Sequence, residues 1–501
     1  MTNNFLYSDG RLSAKLIALI NFTLSLWLIT FDPVLSKDAI TYLLAAEAYI
    51  ESGMTASLEA YSWPFFPVLF ATIHQITFIP LHLAALLVVS IGFFLTSYAF
   101  VRIVAEMGGS PRAQLFGLII ITFHPLIAGY RSSIIRDSGL WAFMLLAMLE
   151  LLRYSKNPTK LHQYKWLIYI GAALLLRIET IAIALLSPLS LLAVNKTSIK
   201  QRIKTTLHFY APLVFSAISL GGIFLLIIEN PGRQLKLFAD IGYYTRYLSD
   251  LSTIISQKSI IVADTMISHT SKKDADYAVI TVFFTICFIN VIRAITPIYL
   301  ATLLLGRLRS AKNYICSNAD TIIKVHLLII GTYLFLFTIS RQFNIERYSF
   351  QLVIVILLYL PFIVDRIWQL QPRRPIQVAI ILIFIGYFLD TIINSDYKKD
   401  YIHKAAIWLK NETPADTEIV SNHHHIAYFS EKQQNINLRR LSQNANHDKT
   451  WRKGVTYAFH AKESEIRPLQ NRIAKHQPII LKEFKGGDQG SVIIFKLPET
   501  I

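Results

Sequence analysis

Three short clusters of carboxylates, guanidiniums and phenols interrupt an otherwise apolar chain, each at the edge of an apolar run. In the first, Asp38, Tyr42, Ala45 and Tyr49 recur at i, i+4, i+7 and i+11 and so share one narrow helical stripe, with Glu47 and Glu51 roughly opposite. A carboxylate, two phenols and a small residue on one face can line a cleft at a membrane surface. The same pattern also describes a solvated amphipathic helix on the outer leaflet with Asp38 as its N-cap. The second cluster, GYRSSIIRDSGLW, sets Arg131, Arg136 and Asp137 between two apolar runs. Asp137 can cap the next helix while the arginines reach to headgroups. Alternatively, a second carboxylate beside guanidiniums suits an anionic lipid phosphate together with a metal or an acceptor. The third, SRQFNIERYSF, packs Arg341, Glu346, Arg347 and Tyr348 into one turn. Charges this close to hydrocarbon are costly unless paired, so Glu346 is expected to pair with one of its arginines; planar guanidiniums are also what a phosphate diester needs. Arg177 adds a fourth contribution from the same face.

The elements that position these clusters follow from composition. Of 501 residues, 53% are hydrophobic and 16% charged, and several apolar runs approach or exceed the roughly 20 residues that span a bilayer. This is the composition of a polytopic α-helical membrane protein. Residues 14–31 are long for a signal-peptide core and lack a small-residue cleavage site, so they read as a retained span. Further candidate spans lie at about 83–104, 113–130, 138–153, 166–194, 207–228, 278–305, 323–340, 348–364 and 376–394. Neither Cys287, in an apolar run, nor Cys316, in a basic loop, suggests a disulfide framework.

Loop charges orient the spans. Arg11 and Lys15; Arg102 and Arg112; Lys156, Lys160 and Lys165; Lys196, Lys200, Arg202 and Lys204; Arg307, Arg309 and Lys312; and Arg366, Arg373 and Arg374 form one basic set, which the positive-inside rule places in the cytoplasm. That distribution accounts for the formal net charge of +17 without nucleic acid as a partner. Residues 32–64 are net acidic and 229–277 balance their charges, so both face outward. The flanks of 166–194 are both basic, which requires an even number of crossings. As one helix this run would be roughly 43 Å long, too much for one straight span. Two short helices that turn near Arg177 satisfy both constraints and keep the arginine out of the bilayer centre, where it costs about 2.5 to 3.5 kcal/mol. The proline-broken SWPFFPVLFATIHQITFIP reads as an interfacial or re-entrant segment. The expected architecture is about eleven transmembrane helices over residues 1–394, N-terminus cytoplasmic. A small soluble α/β domain outside the membrane follows over 395–501, its last strand SVIIFKL.

The clusters, in this order, resemble the multi-spanning GT-C glycosyltransferases, close to the bacterial protein mannosyltransferases and lipid A aminoarabinose transferases. Asp38, Tyr42 and Ala46 match that family's D-x-x-x-Y-x-x-x-A pattern in the first outer loop, and WPFFPVLFA is similar to its juxtamembrane segment. RSSIIRDSGLWAF resembles its second outer loop, LLLRIET its Leu-Arg-Pro turn, and ERYSFQL its late Arg-Tyr segment. The likeness runs in order over residues 14–394. Ala39 stands where many relatives carry a second acid, Ile178 and Gln351 where proline is usual.

What the resemblance implies is transfer of a sugar from a polyprenyl-phosphate donor to a lipid, glycan or protein acceptor, on the outer face of the bacterial cytoplasmic membrane and among its lipids. Asp38 would act as general base and Asp137 would assist through acceptor contacts or a divalent metal ion. Arg131, Arg136, Arg177, Arg341 and Arg347 would hold the phosphate, with Tyr42 and Tyr348 orienting sugar or phosphate.

Two rivals keep some support. A lipid-linked glycan polymerase or ligase would carry its key charges in the large outer loop, where Arg233, Lys236, Asp240 and Arg246 lie. A transporter often shows repeated halves and broken helices near midplane, whereas this sequence has no internal repeat and its clusters sit at the outer edge. No GxGxxG, P-loop or HExxH pattern occurs. His423, His424 and His425, read as adjacent strand residues, alternate faces and make a poor zinc site.

Overall fold

The computed structural model describes residues 6–8, 10–31, 34–194, 198–227, 250–308, 315–370, 374–393, 399–431, 451–487 and 490–498. Lys196, Arg233, Lys236, Asp240, Arg246, Arg309, Lys312 and Arg373 lie outside the described residues. Among the described residues, four helices are long and apolar enough to cross a membrane: Leu81–Glu106, His269–Ile295, Ser317–Arg341 and Glu346–Gln369. Shorter apolar helices accompany them, among them Ala14–Thr30, Pro111–Thr122 and Gln377–Ile393. The chain has the build of an integral membrane protein, and its contacts divide into two compact units, the first comprising Met1–Phe22, Val88–Ala128 and Arg136–Phe388.

The first unit is organised around the helical hairpin Asp137–Lys156 and Lys160–Leu176, joined by a short turn in which Thr159 Oγ1 caps the second helix. Asp137–Lys156 is buried nearly all round, as a helix apolar on every face must be. Trp141 sits between Phe93 and Phe350, at ring-centroid distances of 6.3 and 4.9 Å. At the hairpin's turn, Arg11, Arg153 and Lys156 converge on Glu106, and Arg153 with His162 holds Glu150. Arg112 pairs with Asp365 nearby in sequence to Arg366. Basic residues from three of the six loop groups, Arg11, Arg112 and Lys156, are thus paired with acids. Asp137 lies at the other end of its 20-residue helix, about 30 Å away at 1.5 Å per residue.

Several apolar runs are broken where single spans were expected. Residues 113–130 divide into Pro111–Thr122 and Pro125–Tyr130 at His124. Residues 278–305 divide at Thr296, whose φ of 74° is rare for a β-branched residue and whose hydroxyl lies 2.8 Å from that of Tyr387. In both places a proline follows, and the residue before a proline avoids the α conformation. Part of the expected loop 229–277 is helical, over Leu251–Thr265. Near Arg177 the expected break is present. Lys160–Leu176 ends, Arg177 is extended (φ −147°, ψ 116°), and short turns over Ile178–Thr180, Ile181–Leu186 and Ser187–Ala193 follow.

Gly92 marks a close approach in this unit. A Cβ there would lie 2.8 Å from Ser138 Oγ and 2.9 Å from the Ser138 carbonyl carbon. Gly92→Ala is expected to destabilise the protein by about 1–3 kcal/mol through overpacking, read as a lower melting temperature of the detergent-purified protein; an unchanged melting temperature would mean that the contact yields easily.

The second unit comprises Thr23–Leu87, Gly129–Ile135 and Leu389–Ile501. Its sheet has the strand order Ile419–Ser421, Thr456–Ala461, Ser491–Lys496, Ile479–Lys485, with the first pair parallel and the others antiparallel. Alternation along the strands fills two cores. Ala458, Val492 and Ile494 pack with Tyr401, Leu409 and Ile426, and Tyr457, Phe459, Ile493 and Phe495 pack with Leu469 and Ile473. SVIIFK is buried because both faces are covered.

Within the same unit, the helix Lys37–Ala60 reverses at Gly53, whose φ of 80° and ψ of −165° are open to glycine alone. Ser57 Oγ then donates to the Ala45 carbonyl at 2.8 Å, a pair twelve residues apart that a straight helix would hold roughly 18 Å apart. The following helix, Phe65–Thr77, is about 20 Å long, too short to span. Its exposed Leu69 and Ile76 suit the interfacial placement expected from sequence.

Candidate active site

The hairpin explains the centre of the site. In two antiparallel helices of 20 and 17 residues, the first residue of one meets the residue after the end of the other, which here are Asp137 and Arg177. Arg177 Nη1 donates to Asp137 Oδ1 at 3.0 Å, both side chains being about 4% exposed. Nη2 reaches Glu179 Oε1 at 3.4 Å, across the extended residue and the turn that follows it. Arg136 donates to the Leu176 carbonyl at 3.1 Å and thereby caps the second helix.

The third sequence cluster joins this centre. Arg347 Nε lies 3.6 Å from Asp137 Oδ2, an ion pair longer than a hydrogen bond. The Tyr348 ring lies beneath two guanidiniums, 4.6 Å from the Arg177 carbon and 5.2 Å from that of Arg347, while its hydroxyl accepts from Arg347 Nη2 at 3.3 Å. Tyr333 is within electrostatic reach of Glu179, Arg177, Arg341 and Arg136. Asp137, Arg136, Arg177, Arg341, Arg347 and Tyr348 therefore gather in one unit.

Two expectations need correction here. Asp137 does not cap its helix: the N-cap position is Arg136, without a side-chain cap, and the Asp137 carboxylate faces guanidiniums instead. Arg347 is paired with Asp137 rather than with its neighbour Glu346, because the hairpin end delivers a buried carboxylate that no local spacing reveals. Sequence reasoning also passed over Glu179 and Tyr333. Glu179 had a signal, an acid two residues after an arginine within an apolar run; Tyr333, inside GTYLFLF, had none.

A divalent cation does not fit at Asp137. Its two oxygens face Arg177 and Arg347, so a metal there would be set against two positive groups. Among the described residues no three His, Cys, Asp or Glu side chains stand together as a ligand set.

Asp38, Tyr42 and Arg131 belong to the other unit. Asp38 is half-buried in the first turn of its helix, where the macrodipole favours a carboxylate, and the N-cap is Ser36, whose Oγ accepts from the Ala39 N–H at 3.2 Å. The reversal at Gly53 folds the segment that follows back onto the stripe that held Asp38 in sequence. Tyr42 and Ala45 are buried, with Tyr42 edge-to-face against Tyr61 and Phe66, each at 5.3 Å. Arg131 is fully buried and donates to Ser25 Oγ at 3.1 Å. Away from these residues, His423 caps the short helix His424–Phe429 instead of lying on a strand.

No family model and no curated protein matches the chain. Among solved structures, it is similar to the oligosaccharyltransferase of Archaeoglobus fulgidus in the apo form, with a TM-score of 0.45 and 14% identity over 86% of this chain and 65% of that one. The same enzyme tethered to an acceptor peptide containing the NVT sequon gives 0.41 and 11% over 86% and 64%. ArnT from Cupriavidus metallidurans in the apo state gives 0.40 and 12% over 96% and 97%. The chain thus spans about 65% of the length of the archaeal enzyme.

Proposed function

We propose that this chain is a membrane glycosyltransferase that moves a sugar from a polyprenyl-phosphate donor to a lipid, glycan or protein acceptor on the outer face of the bacterial cytoplasmic membrane. The observation that carries this reading is the gathering of Arg136, Arg177, Arg341 and Arg347 about Asp137, Glu179 and Tyr333. Guanidiniums grouped in this way can hold a phosphate, two of whose oxygens match the planar fork of an arginine. The ordered likeness of the sequence clusters to the GT-C pattern supports the same reaction. About eleven crossings, a cytoplasmic N-terminus and an outer domain over 395–501 belong to this proposal.

In the proposed step, Asp38 takes the proton of an acceptor hydroxyl or amine as its lone pair attacks the anomeric carbon. The bond from that carbon to the phosphate oxygen breaks, its electrons stay on the oxygen, and the phosphate gains one negative charge. The arginines stabilise that charge as it develops. Arg347 is the more exposed of the two arginines on Asp137, at 14% of its side chain against 4% for Arg177, and Asp137 holds both in place. Tyr348 orients the arginines from below.

Membranes containing the full chain, supplied with labelled polyprenyl-phosphate sugars, are expected to move label from donor to acceptor. Arg347→Ala is expected to lower kcat/KM for the donor by on the order of tenfold to a hundredfold, the loss of one charge-assisted hydrogen bond. Absence of transfer together with unchanged donor binding in Arg347→Ala would sink the reading.

A further inference from the structure

The proposed chemistry uses none of the C-terminal histidines, yet one of them is built into the start of the Asp38 helix. The Leu35 N–H donates to His425 Nδ1 at 2.9 Å, and both residues are buried. Because Nδ1 accepts, the proton of the neutral ring sits on Nε2, which lies 3.0 Å from His403 Nδ1. The donor order is therefore Leu35 to His425 to His403, with both rings neutral. Phe429 holds the two rings, at 4.5 Å from His425 and 5.5 Å from His403. Val34 packs on the core formed by Tyr401, Leu409 and Ile426. Two and a half turns beyond Asp38, Tyr428 donates to the Glu47 carboxylate. Helix His424–Phe429 thus grips the segment at Leu35 and at Glu47, with Asp38 between the two.

We propose that His425 is a positioning residue for Asp38: its neutral Nδ1 fixes the backbone three residues before the carboxylate, and losing that acceptor, by substitution or by protonation, releases the turn. The proposal rests on the reading of Asp38 as base. Burial, with like-charged His403 and His423 adding to it, pulls the His425 imidazole down to about 3. The charged groups acting on it are His403 from Asp400–Glu412 and His423 at its own cap, with His82, His460 and Lys399 beyond them and Lys37, Asp38 and Glu47 on the helix that it grips. The folded value is below the ordinary one, so the stabilisation is complete above about pH 6.5 and is lost as pH falls toward 3.

Two variants of the full-length protein separate the possibilities. Asn at 425 places Oδ1 where Nδ1 was and does not titrate; Leu fills the space with no acceptor. In hydrogen–deuterium exchange at pH 7, His425→Leu is expected to speed exchange of residues 35–46 at least tenfold while Ser491–Lys496 stays protected, and His425→Asn to stay within threefold of wild type. In the transfer assay, His425→Leu should lower kcat about tenfold without changing donor KM, and His425→Asn should restore it and flatten the acid limb of the pH profile. Equal exchange in both variants and wild type overturns the proposal. So does loss of protection across Ser491–Lys496, which would mean that His425 serves its own fold. Altered exchange with unaltered kcat would leave the grip intact and overturn the role of Asp38 instead.

Discussion

Asp38→Asn is expected to abolish sugar transfer, lowering kcat by about 10²- to 10⁴-fold, the range over which a positioned general base contributes. Asparagine keeps the size of the side chain and its place in the first turn, two residues after the Ser36 cap. What it removes is the proton acceptor and a favourable charge at a helix N-terminus, the latter worth only about 0.3–1 kcal/mol of stability. Donor binding should be unchanged, since the arginines proposed to bind phosphate are drawn from other elements. The measurement is transfer from a labelled polyprenyl-phosphate sugar in membranes at matched protein levels, with donor binding followed in parallel. Equal transfer by wild type and variant would remove Asp38 from the chemistry. A parallel loss of donor binding would recast it as part of the binding site.

Arg177→Ala is expected to cost about 3–5 kcal/mol of stability, because it leaves two buried carboxylates without the guanidinium that joins them. Asp137 would keep only the longer contact with Arg347, and Glu179 would lose its hydrogen bond. The loss should appear as a large drop in melting temperature in detergent and as reduced protein in the membrane. Arg177→Met combined with Asp137→Leu should recover part of that loss, since an apolar pair replaces a buried charged one at little net cost. Transfer should not recover, because the pair also orients Arg347 and the Tyr348 ring. If Arg177→Ala melts like wild type but fails to transfer, Arg177 touches substrate directly rather than bracing the site.

The grip of the helix His424–Phe429 on the Asp38 segment joins two parts of one unit that lie far apart in the sequence. Tyr428 and Glu47 share a half-buried hydrogen bond, and burial is the main cause that raises both their pKa values. A base held at the start of a helix is only as well placed as that helix.

By itself, the sequence determined the membrane class, the helical runs and the break at Arg177, because hydropathy and charge are local and a bilayer enforces them run by run. It also singled out residues that the fold brings together: Asp137, Arg177, Arg347 and Tyr348 were conspicuous as charges and phenols beside apolar runs. Their meeting was decided by tertiary structure. Asp137 finds Arg177 because two helices of nearly equal length fold into a hairpin, and that pairing across 40 residues has no signature in local spacing. The stripe Asp38, Tyr42, Ala45, Tyr49 shows the limit from the other side. Its periodicity was real, but Gly53 turns the chain back and buries Tyr42 and Ala45 against Ser57 and Tyr61, so one face came to serve two purposes. Likewise His425 read as one of three adjacent histidines. Only the packing of its short helix against Leu35 gives its two ring nitrogens opposite roles, one accepting and one donating.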